Sequence, residues 1–426
     1  LDDLTWEVKL RPGVKFHNGE PFTAHTVKFN LERVLNPAQK SPARGNWTWL
    51  KEVRVIDDHT VHLISYKPYP LIFERLTTLE LIPQHYAQEK GDDYIATHPV
   101  GTGPYKFVEW IKGQRLVLEV NTDYWGKIPE VKRVIFRAIP ETATQIAELL
   151  SGGVDIIRTV PPDQIPVIEA SPNAHISAAP ILRVVFLMPD VRGRASQTPL
   201  MDARVRRAIA HAVDVEGIMQ HILGGYAVRT PAVVNPLHFG YDPAIEPIPY
   251  APEKAKALLA EAGYPEGFSL NLNSYSGSVV SVRQVVEAIM GNLAQVGIRV
   301  KNTHYEDVGT YAKNARAGKL QGITLFSWGS GSVFDADALL YPLLVSSEPF
   351  SYVKDPDLDR WLKQARETID RERRKQLYSQ VQRRIIEQTY WIPMYAQYAI
   401  LGISNRINYE ATGDEIIKVF EATWKE

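Results

Sequence analysis

The chain has 426 residues, too many for one ordinary hydrophobic core, so two or three domains are expected. Lys and Arg number 48 against 49 Asp and Glu, a net charge of -1, which offers no global field for nucleic acid or an anionic membrane. The absence of cysteine excludes disulfides, a thiol nucleophile and thiolate metal sites. No apolar run is long enough to span a bilayer and no charged-then-apolar leader opens the chain, so any export signal is expected to have been removed already.

The first elements alternate with period two. Trp6, Val8 and Leu10 predict a strand over 5–11, beginning so early that the chain is expected to enter partway through a domain. A turn at His17-Asn18-Gly19-Glu20 leads to a helix over 24–35 capped by Thr23. Residues 53–56 and 60–65, joined by Asp57-Asp58-His59, predict a hairpin, and Ile82-Pro83-Gln84-His85 starts a short helix. Gly101-Thr102-Gly103-Pro104 punctuates strongly enough to be a linker. In the stretch that follows, Tyr105 and Phe107 alternate with Lys106, and Leu116, Leu118 and Val120 with Val117 and Glu119. Lys112-Gly113 supplies the reversal between these two strands.

After Trp125 strands (134–138, 154–157, 184–188) alternate with helices (141–151, 161–170), an order that predicts a largely parallel sheet covered on both faces. The helix begun by Asp202 turns Val205, Ile209, Ala212 and Val213 inward, leaving Arg204, Arg206 and Arg207 as a solvated basic face. Pro and Gly between Arg229 and Asp242 suggest a second crossing between domains. A helix from Pro252 to Gly263 follows, then strands 269–273, 298–303 and 323–327 alternating with helices 281–295 and 308–317. Helices 357–367 and 371–388 precede a strand over 391–398.

Five pieces in order carry a family likeness: VGTGPYKF with its hairpin and Asn121-x-x-Tyr124-Trp125, the D-x-R-V-R-x-A run at Asp202–Ala208, Asp355-Pro356-Asp357-Leu358-Asp359, Leu377-Tyr378, and Trp391-Ile392-Pro393-Met394-Tyr395. On these the chain resembles, over nearly its whole length, the extracytoplasmic solute-binding proteins of ABC importers, in the dipeptide and oligopeptide class (family 5). The resemblance implies an α/β, two-lobed periplasmic-binding-protein-like fold with a hinge and an extra N-terminal α+β subdomain. It also implies some tens of residues before Leu1, including a strand of another domain. The expected division is 1–98 for the N-terminal subdomain, 99–230 with 397–426 for the first α/β lobe, and 231–396 for the second.

Ligands of α/β sheets bind beyond the carboxyl ends of strands, and a strand ending at Ser327 opens the loop Trp328–Asp337. Trp328 is expected to be a flat apolar wall, with Gly329, Ser330 and Gly331 bringing backbone close to a ligand. In peptide binders of the resembled family an Asp three residues after this Trp holds the peptide's α-amino group. Here that position is Gly331, so a plain dipeptide is not expected unless Asp335 or Asp337 takes over. Arg158 and Arg183, at strand ends, are expected to pair with acidic groups of an anionic or carboxylated solute such as a modified peptide, an opine or a glutathione-like compound. Tyr395 and Tyr398 lie where the chain crosses back between domains, stacking on ligand or packing the hinge.

Gly101-x-Gly103 lacks a third glycine and leads into Pro104 and a strand, the wrong context for a phosphate cradle. There is no Walker lysine motif, no G-x-S-x-G elbow and no H-E-x-x-H, and His59 and His62 lack a third ligand at metal spacing. Neither catalytic residues nor a cofactor or metal are expected. The resemblance implies an extracytoplasmic, monomeric protein that hands a small-molecule ligand to an ABC permease, membrane-associated only through that permease or a lipid anchor outside this sequence. Two rival readings are a hydrolase using Asp335 and Asp337 as a carboxylate pair, and a metal-chelate or haem carrier of the same fold holding its cargo through a lone histidine and arginines.

Overall fold

A computed structural model describes residues 1–196, 198–305, 307–329, 331 and 333–425. The alternation of Thr60–Ser65 buries Val61, Leu63 and Ser65 and makes this strand the centre of an antiparallel sheet, between Thr5–Lys9 and Leu50–Asp57. Across it lies the helix Ala24–Leu35, whose Thr23 and Thr26 form a reciprocal capping box. Val27 and Leu31 pack with Trp47, Leu50, Leu63 and Leu71, each fully buried apolar side chain contributing roughly 1.5–3 kcal/mol. Tyr105–Ile111 and Arg115–Val120 form the expected hairpin around Gly113, and Arg133–Arg137 adds a third antiparallel strand. The glycine linker is tied back to the first unit: His17 Nε2 lies 2.9 Å from Gly103 O, and the Gly101 N–H donates to His17 Nδ1.

A seven-stranded sheet organises the rest. Its two longest strands, Ala174–Pro189 and Ile392–Ser404, run antiparallel and pass through both lobes. In the first lobe Ala174–Pro180 pairs with Tyr398–Ser404; in the second, Val184–Leu187 pairs with Ile392–Ala396, and the register breaks between Ala396 and Tyr398. That break is the crossing point between lobes. From Val184 onward the strand also pairs with Ile323–Trp328, beyond which lie Phe268–Tyr275 and Ile298–Tyr305. Period-two alternation then builds two cores. Val185 and Leu187 face the helices Ala203–Ala212, Val215–His221, Pro252–Glu261 and Val282–Gln295, whereas Val184, Phe186 and Met188 face Val308–Arg316, Asp337–Leu344, Pro356–Arg366 and Arg371–Gln388.

Three expectations change. Among the described strands, only Phe268–Tyr275, Ile298–Tyr305 and Ile323–Trp328 pair in parallel; the strands of the 134–188 region pair antiparallel, because their partners are the hairpin, the returning C-terminal strand and Ile323–Trp328 rather than one another. Residues 184–230, assigned above to the first lobe, share their core with 255–298, so the packing boundary falls near 181–184 and 396–398. Finally, Arg206 is 3% exposed, its guanidinium donating to the carbonyls of Gln388, Thr389, Leu200 and Met201 at a helix C-terminus, and Arg207 donates to Ile386 O; Arg204 alone of the three is exposed.

The segment leading away from the crossing carries a pH-dependent group. His238 is buried against Asn235, Nδ1 lying 3.0 Å from its Oδ1, and burial pushes its pKa down to about 4. The unfolded chain therefore binds this proton first as pH falls, and stability is lost from about pH 6.5 to about 4, about 2 kcal/mol of it between pH 7 and pH 5. Asp335, whose carboxyl burial pushes up to about 6 against the pull of Arg374, titrates in the same window with the opposite sign. Urea unfolding of wild type and His238→Gln at both pH values isolates the histidine: the wild-type advantage is expected to shrink by that amount on acidification, and a constant difference would remove His238 from the balance.

Candidate functional site

The strand Ile323–Trp328 delivers the predicted loop to the groove between lobes. Leu325 and Phe326 are buried in opposite cores, and the Trp328 ring stacks on Phe326 (5.8 Å between centroids, 14° between planes) and meets Phe350 edge-on. Trp328 Nε1 donates to Ala338 O at 3.0 Å, so one indole face is anchored and the rest of the ring is half-buried. Trp328, Gly329 and Gly331 line a cavity of about 710 Å³ shared with the N-terminal subdomain, which contributes Trp49, Tyr66, Tyr69 and Arg75. Gly331 has φ +59°, a left-handed conformation that favours glycine. Ser330 lies outside the described residues.

Asp335 and Asp337 do not reach a ligand. Asp335 is 1% exposed, accepts from Arg374 Nη2 at 2.8 Å and from the Tyr378 hydroxyl at 3.0 Å, and receives the Asp337 N–H. Asp337 is fully buried, with Arg366 Nε and Nη2 at 2.9 and 2.7 Å and Arg75 Nη2 at 3.3 Å. Burial alone would raise the Asp337 carboxyl, but the Arg366, Arg75 and Arg374 guanidiniums together outweigh it and hold it below the usual carboxylate range. Neither can replace an amine clamp, and the carboxylate-pair hydrolase loses both its acid and its base. Both aspartates are occupied by arginines that fasten the loop to its neighbours.

Tyr395 is likewise corrected: it is fully buried in the second-lobe core, its hydroxyl without a described partner, and it packs the crossing instead of lining it. Tyr398, past the register break, is half-buried, packs edge-on to Tyr226 and lines a second cavity of about 530 Å³. This cavity sits at the crossing strands, and the two predicted arginines meet there. Arg158 is exposed at its rim and makes no described hydrogen bond or ion pair. Arg183 Nε donates to Glu415 Oε2 at 2.9 Å and Nη1 to Ser327 Oγ at 3.1 Å. Ser327 Oγ in turn donates to Ser278 O, and Gln397 Nε2 donates to the same carbonyl while its Oε1 accepts from Val280 N. This chain of bonds couples the strand end, the crossing strand and the Gly277–Ser281 loop.

Glu415, Gln397 and Ser278 were not singled out in the sequence. Glu415 is 232 residues from Arg183 and lies in no periodic element, so no spacing joins them. The helix Val282–Gln295 starts at this cavity with no side-chain cap on Ser281, so its first-turn N–H groups add partial positive charge to that of the arginines. Neither cavity includes a histidine among its described lining residues, so a carrier ligating through a lone histidine has no donor there.

Two lobes joined by crossing strands, with one cavity at that crossing and another between the second lobe and the N-terminal subdomain, define a hinged solute-binding protein. The chain belongs to the bacterial extracellular solute-binding proteins, family 5, which it matches over residues 1–351. It is 30% identical over 420 residues to the glutathione-binding protein GsiB of Pectobacterium atrosepticum, an alignment covering 95% of this chain and 80% of that protein. Among solved structures it is similar to the periplasmic binding protein DppA from Helicobacter pylori in complex with the peptide STSA (27% identity, TM-score 0.87, 100% of this chain and 87% of that one). It is also similar to AgaA from A. tumefacien R10 in complex with agropinic acid (25% identity, TM-score 0.83, 100% and 88%). The chain is thus a substrate-binding component of an ABC transporter, of a family whose members work outside the cytoplasm.

Proposed function

We propose that this protein captures a small, carboxylate-bearing, peptide-like solute at the crossing between its lobes and releases it chemically unchanged to an ABC permease, acting as a monomer. The observation that carries this reading is the convergence of Arg158, which has no described partner, and Arg183 on one cavity beside the crossing strands. An arginine fork pairs bidentately with a carboxylate. The cavity draws lining residues from both lobes, residues 398–401 from the first and 277–281 with Gln284 from the second, so a ligand there favours the closed arrangement by its differential affinity. The neighbouring 710 Å³ cavity, walled by Trp328, Trp49 and Tyr69, receives the less polar remainder of the solute. The relatives' ligands, glutathione, a peptide and agropinic acid, make these the first compounds to try.

Native mass spectrometry of the purified protein, followed by calorimetry with the solute found, tests this. The expected result is one solute per chain, recovered unaltered. A mass change in the recovered solute would indicate turnover, and a solute without any carboxylate would overturn the arginine reading.

A further inference from the structure

We propose that the 530 Å³ cavity takes an amino-dicarboxylate head group, with Arg158 and Arg183 receiving its two carboxylates and Glu415 its ammonium. The assignment rests on the cleft reading above. Arg158, Arg183 and Glu415 are the charged groups among the described lining residues, two positive and one negative, the complement of a ligand with two acidic groups and one basic group.

The geometry at Gly329 sharpens this. A Cβ on that residue would lie 2.8 Å from Arg183 Nη2 and 2.7 Å from Glu415 Oε1, so glycine is what lets both groups close onto the backbone here. Those are the atoms the ion pair leaves over. Arg183 uses Nε on Glu415 and Nη1 on Ser327, and Glu415 accepts through Oε2; Nη2 and Oε1 make no described hydrogen bond. A guanidinium donor and a carboxylate acceptor side by side on one cavity wall match the adjacent carboxylate and ammonium of an α-amino acid group. Arg158, at the rim, is placed for the second carboxylate.

The backbone points to the same cavity. Five described non-glycine residues have left-handed φ, and three of them, Thr159 (+57°), Ser281 (+51°) and Glu415 (+65°), line it. Such conformations persist where surrounding structure enforces them and concentrate at ligand clamps. Glu415 itself is held in one of them, with its carboxylate turned onto Arg183.

Calorimetry with two probes tests the assignment: γ-glutamylglycine and its deaminated counterpart glutarylglycine, on wild type and Glu415→Gln. Wild type is expected to bind γ-glutamylglycine at least about tenfold more tightly, and Glu415→Gln, with folding checked by its thermal midpoint, to bring the two within about twofold. An amine preference that survives Glu415→Gln overturns the clamp. Equal binding of both probes by wild type does the same while leaving the cleft reading intact, and binding of neither overturns the head-group class. If Arg158→Ala and Arg183→Ala both leave γ-glutamylglycine binding unchanged, the cleft reading itself falls.

Discussion

Asp337→Ala is expected to cost about 3–5 kcal/mol of unfolding free energy, the range for removing one partner of a buried ion pair and stranding the other. Asp337 stands between two arginines from different parts of the chain: Arg366 on a second-lobe helix, and Arg75 on the helix Ile72–Leu76 of the N-terminal subdomain. Its side chain is 1% exposed and those of the arginines 10% and 26%, so water can only partly replace it. Arg75 Nε also donates to the Tyr69 hydroxyl, and the Arg366 guanidinium lies 3.1 Å from the Tyr341 ring centroid, which fixes both cations in place after the carboxylate is gone. Urea unfolding at neutral pH is the measurement, with Arg75→Ala as a milder companion that keeps the Arg366–Asp337 pair. A loss below about 1 kcal/mol for Asp337→Ala would put the cluster with exposed surface pairs. The cluster also explains why this acidic residue is not a ligand contact: it docks the N-terminal subdomain against the second lobe beneath the floor of the larger cavity.

Arg183→Ala is expected to weaken binding of the solute identified by mass spectrometry about 10- to 100-fold, since hydrogen bonds to charged groups contribute about 1.5–3 kcal/mol. Arg158→Ala has the smaller expected effect because its side chain is exposed, where solvent screens a charged contact. Arg183 is already ordered by Glu415 and Ser327, so little side-chain freedom is lost when ligand arrives. Calorimetry on the two single variants checks the order. An unchanged affinity for Arg183→Ala would take this arginine out of the site and leave the pair with Glu415 as a structural tie.

Helices with a cap and a clean apolar stripe were legible in the sequence. Ala24–Leu35, begun by the expected cap Thr23, and Arg371–Gln388 have their predicted bounds, and each buries one face. The helix Asp337–Leu344 was missed because DALLYPLL is apolar on every side and contains Pro342, and a short apolar run has no readable period. The first half of the strand Ala174–Pro189 was missed for another reason. Residues 175–180, in the first lobe, are half-buried throughout, so neither face is consistently apolar. At the site, strand-end position pointed to Trp328, Arg158 and Arg183, which line the two cavities. It misled at Asp335 and Asp337, whose partners Arg374, Arg366 and Arg75 come from 39, 29 and 262 residues away, where sequence spacing carries no signal.

The central claim is that the solute is held at the crossing between lobes and so drives their closure. Small-angle X-ray scattering with and without the mass-identified solute measures this most directly. A hinged binder is expected to show a smaller radius of gyration at saturation with unchanged circular dichroism, and Arg158→Ala/Arg183→Ala to lose that change at the same solute concentration. An identical radius in the free and saturated wild-type protein would contradict the account.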